Sequence, residues 1–228
     1  MQLSNIRTIA IVSEKGGAGK TTLAVNLAVI AENSGRATVV FDLDPRANAA
    51  IWGDARGRCP EVVPAQASRL SMLLQQAQKA KADLILLDTP SNALHIAQVA
   101  CGLADLILIP CRPYPPDLLS IVPTVKVALA AGIPTFVLIN AAPAQGIETA
   151  EATAAIERAG VAVCPVILHQ RKAFVSRFHE GMSATEVDFR CKAALELDEL
   201  WAWVIDALGI LPKGIPVVTN HKDNNATT

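Results

Sequence analysis

The sequence predicts a doubly wound α/β fold, a mostly parallel sheet with helices on both faces. Three observations predict it. Short apolar, β-branched runs alternate with helical patterns along the chain. The composition is 51% hydrophobic and only 18% charged, as a sheet buried on both faces requires. The chemically loaded residues fall at the carboxyl ends of the apolar runs, where such sheets hold their ligands.

The apolar runs cover 7–13, 37–43, 82–88, 104–110, 134–140 and 161–168. Each is too short for a typical helix and is followed by turn or capping residues. Helical patterns cover 20–34, 47–56, 68–81, 92–102, 117–131, 147–159, 171–180 and 190–208. In the last, Trp201, Val204, Ile205 and Leu208 recur at the spacing of a core stripe. Trp203 lies off that stripe; core or partial burial is its first reading, with a partner contact as the alternative. A chain of 228 residues fits one domain, placed here at 1–210. The tail 211–228, with its prolines and polar end, reads as a loose terminus.

Charge and cysteine usage exclude several classes. A net charge of -1 is not that of a bulk polycation, so nucleic-acid binding has to come from a local patch. Cys59, Cys101, Cys111, Cys164 and Cys191 are scattered without a C-x-x-C. They read as reduced thiols of a cytoplasmic protein rather than zinc or iron–sulfur ligands. No apolar run reaches the ~18 residues of a membrane span. The start leads into glycines and not into a signal-peptide cleavage site.

The stretch "EKGGAGKTT", residues 14–22, carries the chemistry. A strand ends, glycines follow, and a helix begins near Lys20. Backbone N–H groups around Gly16, Gly17, Ala18 and Gly19 suit a phosphate, because glycine allows close approach and positive φ. The helix N-terminus adds partial positive charge. Lys20 suits the β- and γ-phosphates of a nucleotide, the Thr21 hydroxyl suits Mg²⁺, and Thr22 suits the α-phosphate. The standard loop has glycine where this chain has Glu14, and it lacks the additional lysine, Lys15.

Two further strand ends bear acids. Asp42 and Asp44 share one face in "FDLDPRANAA". Beside a phosphate site they suit a metal shell and the orientation of an attacking water. They equally suit capping of the helix that starts near Ala47. Asp88 ends "DLILLD", the pattern of a strand-tip carboxylate that holds Mg²⁺.

Taken in order, these segments resemble the ParA/MinD family of deviant Walker-type ATPases, from about residue 6 to 208. The matching segments are "KGGAGKTT", "FDLDPRANAA", "LILLDTP", "ADLILIPCRPYPPDLLSI" and "FVLIN". The chain looks most like the small ParA plasmid-partition branch without an N-terminal DNA-reading domain. The resemblance implies a P-loop fold with ATP and Mg²⁺ as cofactors. It implies that Lys15 is the signature lysine, reaching the ATP of the other subunit in a nucleotide-dependent homodimer. By the same match Asp44 positions the hydrolytic water, Asp42 lies near the metal, and Asp88 belongs to the Mg²⁺ shell. Asn140 reads the adenine edge, with the loop from Leu168 to Gln170 beside the base. Pro113, Pro116 and Asp117 shape the dimer face. Ser13-Glu14 and Arg46 depart from the family's frequent residues.

Arg171, Lys172 and Arg177 form a cation cluster with no acid until Glu180. On a helix they make a positive patch for weak, salt-dependent, non-specific DNA contact, doubled in a dimer. They also suit an ordinary solvated face. The resulting expectation is an ATP-driven DNA-partition ATPase, nucleoid-associated in the cytoplasm. A small ParB-like or ParG-like DNA-binding adaptor stimulates its slow hydrolysis. The alternative is a ParA-like ATPase that positions a protein array, a microcompartment or a conjugation complex, because the nucleotide engine is shared. A MinD-type membrane role is disfavoured by the prolines of the tail, which leave no amphipathic helix.

Overall fold

The computed structural model describes residues 6–210. Strands and helices alternate, beginning with β1 (Arg7–Ile11), α1 (Lys20–Asn33), β2 (Thr38–Asp42), α2 (Asn48–Arg56), β3 (Glu61–Pro64), α3 (Leu70–Lys79) and β4 (Leu84–Asp88). They continue with α4 (Leu94–Cys101), β5 (Leu106–Cys111), α5 (Pro115–Ser120), α6 (Val122–Ala130) and β6 (Thr135–Ile139). The last are α7 (Glu148–Arg158), α8 (Ala184–Val187) and α9 (Lys192–Ala207). The strands form one sheet in the order β3-β2-β4-β1-β5-β6, and every pairing is parallel.

The period-two alternation of the strands sorts the core into two layers. Ile9, Ile11, Leu84, Leu86, Leu106 and Leu108 face α1 and α9. Ala10, Val12, Ile85, Leu87, Ile107 and Ile109 face the layer that holds Leu70, Ala100, Ala128 and Ile156. A fully buried leucine or isoleucine is worth about 1.5–3 kcal/mol relative to exposure. Both faces being apolar explains why the strands read as continuous hydrophobic runs. α1 is buried almost all round, from Leu23 to Ala31.

β1 lies between β4 and β5, so the chain winds outward to both sides from it. That is the topological switch point, and the loop after β1 stands above it. The register Ile11↔Asp88 and Asp42↔Asp88 brings three strand tips to the same edge.

Four elements differ from expectation. β3 lies outside the apolar runs named from the sequence; it is four residues long, sits at the sheet edge and ends in Pro64. An edge position tolerates proline because one side needs no ladder hydrogen bond. The run 161–168 is not a strand. Among the described residues it makes one isolated bridge, Val137↔Val163, and Pro165 within it has no N–H to donate. The pattern 117–131 is two helices parted at Ile121, with Pro123 in the first turn of the second. The pattern 171–180 is two single 3₁₀ turns, Lys172–Phe174 and Phe178–Glu180.

α9 follows the expected stripe, with Trp201, Val204 and Leu208 buried. Trp203 is partly buried and packed against the core, as its first reading expects. Its ring stands edge-on to Phe136 at 4.9 Å between centroids. The tail 211–228 lies outside the described residues.

α8 ties the segment before α9 to the front of the molecule. Ser183 and Glu186 close a capping box at its start. The Ala184 N–H donates to Asn26 Oδ1 at 2.8 Å, and Asn26 Nδ2 donates to the Thr22 carbonyl at 2.7 Å. The buried Arg56 guanidinium grips Glu186 through two bonds of 2.8 Å. α1 and α2, which flank the phosphate loop, are thereby held by one short helix.

Candidate nucleotide site

The loop from Ser13 to Gly19 bends around a cavity of about 190 Å³, lined by Gly16, Gly17, Lys20, Thr21, Asp44 and Ser91 among others. Gly17 has φ 75° and Gly19 φ 91°, the left-handed region that favours glycine. A Cβ on Gly19 would overlap Asn140 Nδ2, so glycine is needed there twice over. Asn140 follows β6 and donates to the Ala18 carbonyl at 2.7 Å, which pins the loop from the far side.

Lys20 is 7% exposed. Its ammonium donates to the carbonyls of Ser13 at 2.9 Å and Lys15 at 3.4 Å. Burial lowers its pKa, and the charges of Asp88 and Asp44 oppose that. A phosphate placed in the cradle offers this lysine a stronger, charge-assisted partner than two carbonyls.

Asp88 is fully buried at the tip of β4. Its Oδ2 accepts from Thr21 Oγ1 at 2.7 Å, while its Oδ1 has no hydrogen-bond partner among the described residues. Burial pushes its pKa up to about 7, against the pull of the Thr21 hydroxyl. A buried carboxylate oxygen without a partner is costly in a dry site. The hydroxyl, the carboxylate and the orphan oxygen together fit a hard cation such as Mg²⁺.

The two acids after β2 divide their work. Asp42 is 2% exposed. It accepts from the N–H of Asp44 and from that of Ala50 in the first turn of α2, both at 3.0 Å. Burial raises its pKa, and these N–H groups oppose that. Its visible work is to shape the turn and cap α2. Asp44 lines the phosphate cavity, with one oxygen accepting from the Arg46 N–H at 2.9 Å. A wider cleft of about 900 Å³ opens beside the same acids, lined by Gln66, Arg69 and His95. It has no glycine cradle, so the phosphate site is assigned by geometry and not by size.

Next to the loop lies a second cavity of about 270 Å³, bounded by Thr22, Asn140, Leu168, His169, Gln170 and Phe174 among others. Gly17, Gly19 and Thr22 border both cavities, so they form one groove. Hydrogen bonds from Ala142 N–H to Leu168 O and from Gln170 N–H to Ala142 O hold the 168–170 loop beside Asn140.

Lys15 is held within its own chain. Its ammonium lies 2.7 Å from Asp117 Oδ2, with Asp117 buried in the first turn of α5. Asp117, expected to shape a dimer face, is thus the partner of the additional lysine. Sequence reasoning missed Arg112, whose Nη2 donates to the Gly17 carbonyl at 2.9 Å. The only signal for it was a cation amid the prolines after β5.

The cation cluster is largely neutralised. Arg171 is bound to Glu196 and also lines the base-side cavity. Arg177 is paired with Glu180. Lys172 has no ion pair among the described residues, and it is exposed.

A parallel sheet with a glycine cradle, a strand-tip aspartate and a threonine at the switch point defines a P-loop nucleotide-binding protein. The chain belongs to the family of the CobQ/CobB/MinD/ParA nucleotide binding domain, whose model matches residues 9–184. It is 30% identical over 209 residues to a maintenance of carboxysome distribution protein A from Gloeobacter kilaueensis, covering 86% of this chain and 95% of that one. It is 32% identical over 108 residues to a ParA protein of Rhizobium radiobacter, covering 46% and 48%. Among solved structures it superposes on MinD with Mg-ADP from Pyrococcus horikoshii, with a TM-score of 0.70 and 20% identity over 87% of this chain and 96% of that one. It also superposes on apo McdA of Cyanthece, with a TM-score of 0.68 and 19% identity over 90% and 100%. No helix among the described residues is long and apolar enough to cross a membrane.

Proposed function

We propose that this protein is an ATPase switched between monomer and dimer by ATP, and that it positions a protein assembly. The carrying observation is the orphan Oδ1 of Asp88 beside Thr21, within a glycine cradle that Lys20 already enters. Thr21 and Asp88 are the residues to hold Mg²⁺, which supplies neutralisation of phosphate charge. Lys20 and the N–H groups from Gly16 to Thr22 bind the phosphates. Asp44 orients the attacking water, and Asp42 braces the turn that presents Asp44. Asn140 meets the base. Lys15 leaves Asp117 for the phosphates of a second subunit, so dimer affinity depends on ATP.

The choice of cargo rests on coverage. Maintenance of carboxysome distribution proteins match 86% and 83% of this chain, against 46% for the ParA of Rhizobium radiobacter. This favours the protein-cargo alternative over plasmid or chromosome partition. The pairing of Arg171 and Arg177 points the same way, since it removes most of the expected DNA patch. The test has two parts. Mg²⁺-dependent ATP hydrolysis has to be lost in Lys20→Ala. Tagged protein in cells has to distribute a protein cargo, with plasmid retention unaffected by its deletion.

A second reading keeps DNA as the surface on which the dimer rests. Exposed Lys172 supports it. Salt-dependent binding of the ATP form to random-sequence duplex, weakened in Lys172→Ala, is its signature.

A further inference from the structure

Two cations stand on the wall of the phosphate cavity, Lys20 and Arg46. Lys20 is committed, its ammonium bonded to two loop carbonyls. Arg46 is not. It is exposed, and its guanidinium makes no hydrogen bond or ion pair among the described residues. The roles proposed above leave it without a task.

The backbone that carries Arg46 is closed by hydrogen bonds. Asp42 accepts the Asp44 N–H at 3.0 Å, and Asp44 Oδ1 accepts the Arg46 N–H at 2.9 Å. The Asp44 carbonyl accepts the Ala47 N–H at 2.8 Å, and Pro45 restricts φ between them. A rigid turn thus holds an uncommitted guanidinium at the cavity wall. The two ends of the groove say which part of a nucleotide it meets. Asn140 borders only the base-side cavity, whereas Asp44, Arg46 and Ser91 border only the phosphate cavity. Arg46 therefore stands at the end away from the base, beside Asp44, the end that a terminal phosphate reaches.

We infer that Arg46 is a catalytic residue, an arginine supplied from within the chain to the transferring γ-phosphoryl group. This rests on the ATPase reading above. In the hydrolysis the water oxygen bonds to the γ-phosphorus while the bond from that phosphorus to the β,γ-bridging oxygen breaks. The electron pair of the broken bond leaves with ADP. One water proton stays on the released hydrogenphosphate, and the other passes to solvent. Negative charge thus grows on the bridging oxygen, in line with the attacking water. A guanidinium fork can span that oxygen and one on the γ-phosphorus, and it keeps its charge throughout. No ion pair has to break for Arg46 to turn onto the phosphates. Its backbone serves the same step, because its N–H fixes one oxygen of Asp44, the acid assigned to the water.

The test uses the full chain with Mg²⁺ and three readouts: steady-state ATP hydrolysis, affinity for the imidodiphosphate analogue of ATP, and affinity for ADP with aluminium fluoride, which mimics the transferring group. Arg46→Ala should lower kcat about a hundredfold and weaken the aluminium fluoride complex by a similar factor. It should hold the imidodiphosphate analogue within about threefold of the wild type, because the contact forms in the transition state. Arg46→Lys keeps the charge without the fork and should fall between the two. An unchanged kcat in Arg46→Ala overturns the inference. So does an equal weakening of both complexes, the mark of a residue that only shapes the turn or binds ground-state phosphate. A rate loss that vanishes when the protein is concentrated overturns it too, by placing Arg46 in a subunit contact. A wild type that does not hydrolyse ATP overturns the ATPase reading, and the inference with it.

Discussion

The ammonium of Lys15 lies 2.7 Å from the carboxylate of Asp117, so the lysine that departs from the standard phosphate loop is tied to α5 of its own chain. Lys15 is about one-third exposed and Asp117 is nearly buried. Breaking the pair costs the lysine little and leaves the acid poorly solvated. The bond therefore restrains Lys15 until a stronger partner is offered.

Asp117→Asn removes this restraint. The pair is worth about 1 kcal/mol, since the lysine end remains open to water. Two subunits each lose that restraint, so ATP-dependent dimerisation should tighten about tenfold or more. Sedimentation of the variant with a non-hydrolysable ATP analogue measures it. An unchanged or weaker dimer would show that Asp117 serves the folded turn and not the lysine.

Gly19→Ala should abolish nucleotide binding while the sheet remains folded. The substitution puts a Cβ at φ 91° and against Asn140 Nδ2. The left-handed backbone alone costs about 1–2 kcal/mol. Relief of the overlap moves Asn140 off Ala18 and opens the loop. Calorimetric titration with ATP should show at least a tenfold loss, alongside native far-ultraviolet dichroism.

Asp88→Asn should abolish the Mg²⁺ dependence of nucleotide affinity. An amide keeps the shape of the side chain and a partner for Thr21, but it supplies no anionic oxygen for a hard cation. Titration with ATP in Mg²⁺ and in chelator should give two distinct affinities for the wild type and one for the variant. A variant that retains the Mg²⁺ effect would place the cation elsewhere.

The α2–α8 brace predicts acid sensitivity. Burial alone would raise the pKa of Glu186, but the Arg56 guanidinium and the Ser183 N–H bring it down to about 2. A depressed folded pKa contributes stability above the unfolded value, near 4.5, that is lost as pH falls toward 2. Denaturant midpoints should fall across that window, and less steeply in Glu186→Gln. Arg56→Ala should cost about 2–3 kcal/mol at neutral pH, because it removes the buried bidentate partner of Glu186 and leaves the carboxylate only the exposed Arg58 and the bonds from Ser183.

What was legible in the sequence was whatever is local. The cradle, Lys20, Thr21 and the strand-tip Asp88 follow from contiguous spacing, and the alternation of apolar runs carried the sheet. Asp42 illustrates the limit. Its place on β2 was readable, yet capping and metal support remained equal until both oxygens were seen to accept backbone N–H groups. Arg171 read as a surface cation because its partner Glu196 lies on α9, 25 residues further on. The same holds for Lys15 with Asp117 and for Arg112 with Gly17. These are contacts between elements, which no window of sequence contains. The run 161–168 failed for a different reason. Its β-branched composition outvoted Pro165, which the backbone could not ignore.

The central claim is that ATP drives dimerisation through Lys15, and analytical ultracentrifugation tests it most directly. The wild type and Lys15→Gln should be compared with Mg²⁺ and either the non-hydrolysable ATP analogue or ADP. The account predicts a dimer only for the wild type with the ATP analogue. It also predicts that Lys15→Gln remains monomeric while binding that analogue with affinity within about twofold, since its own cradle is intact. A Lys15→Gln protein that dimerises as well as the wild type would contradict the account.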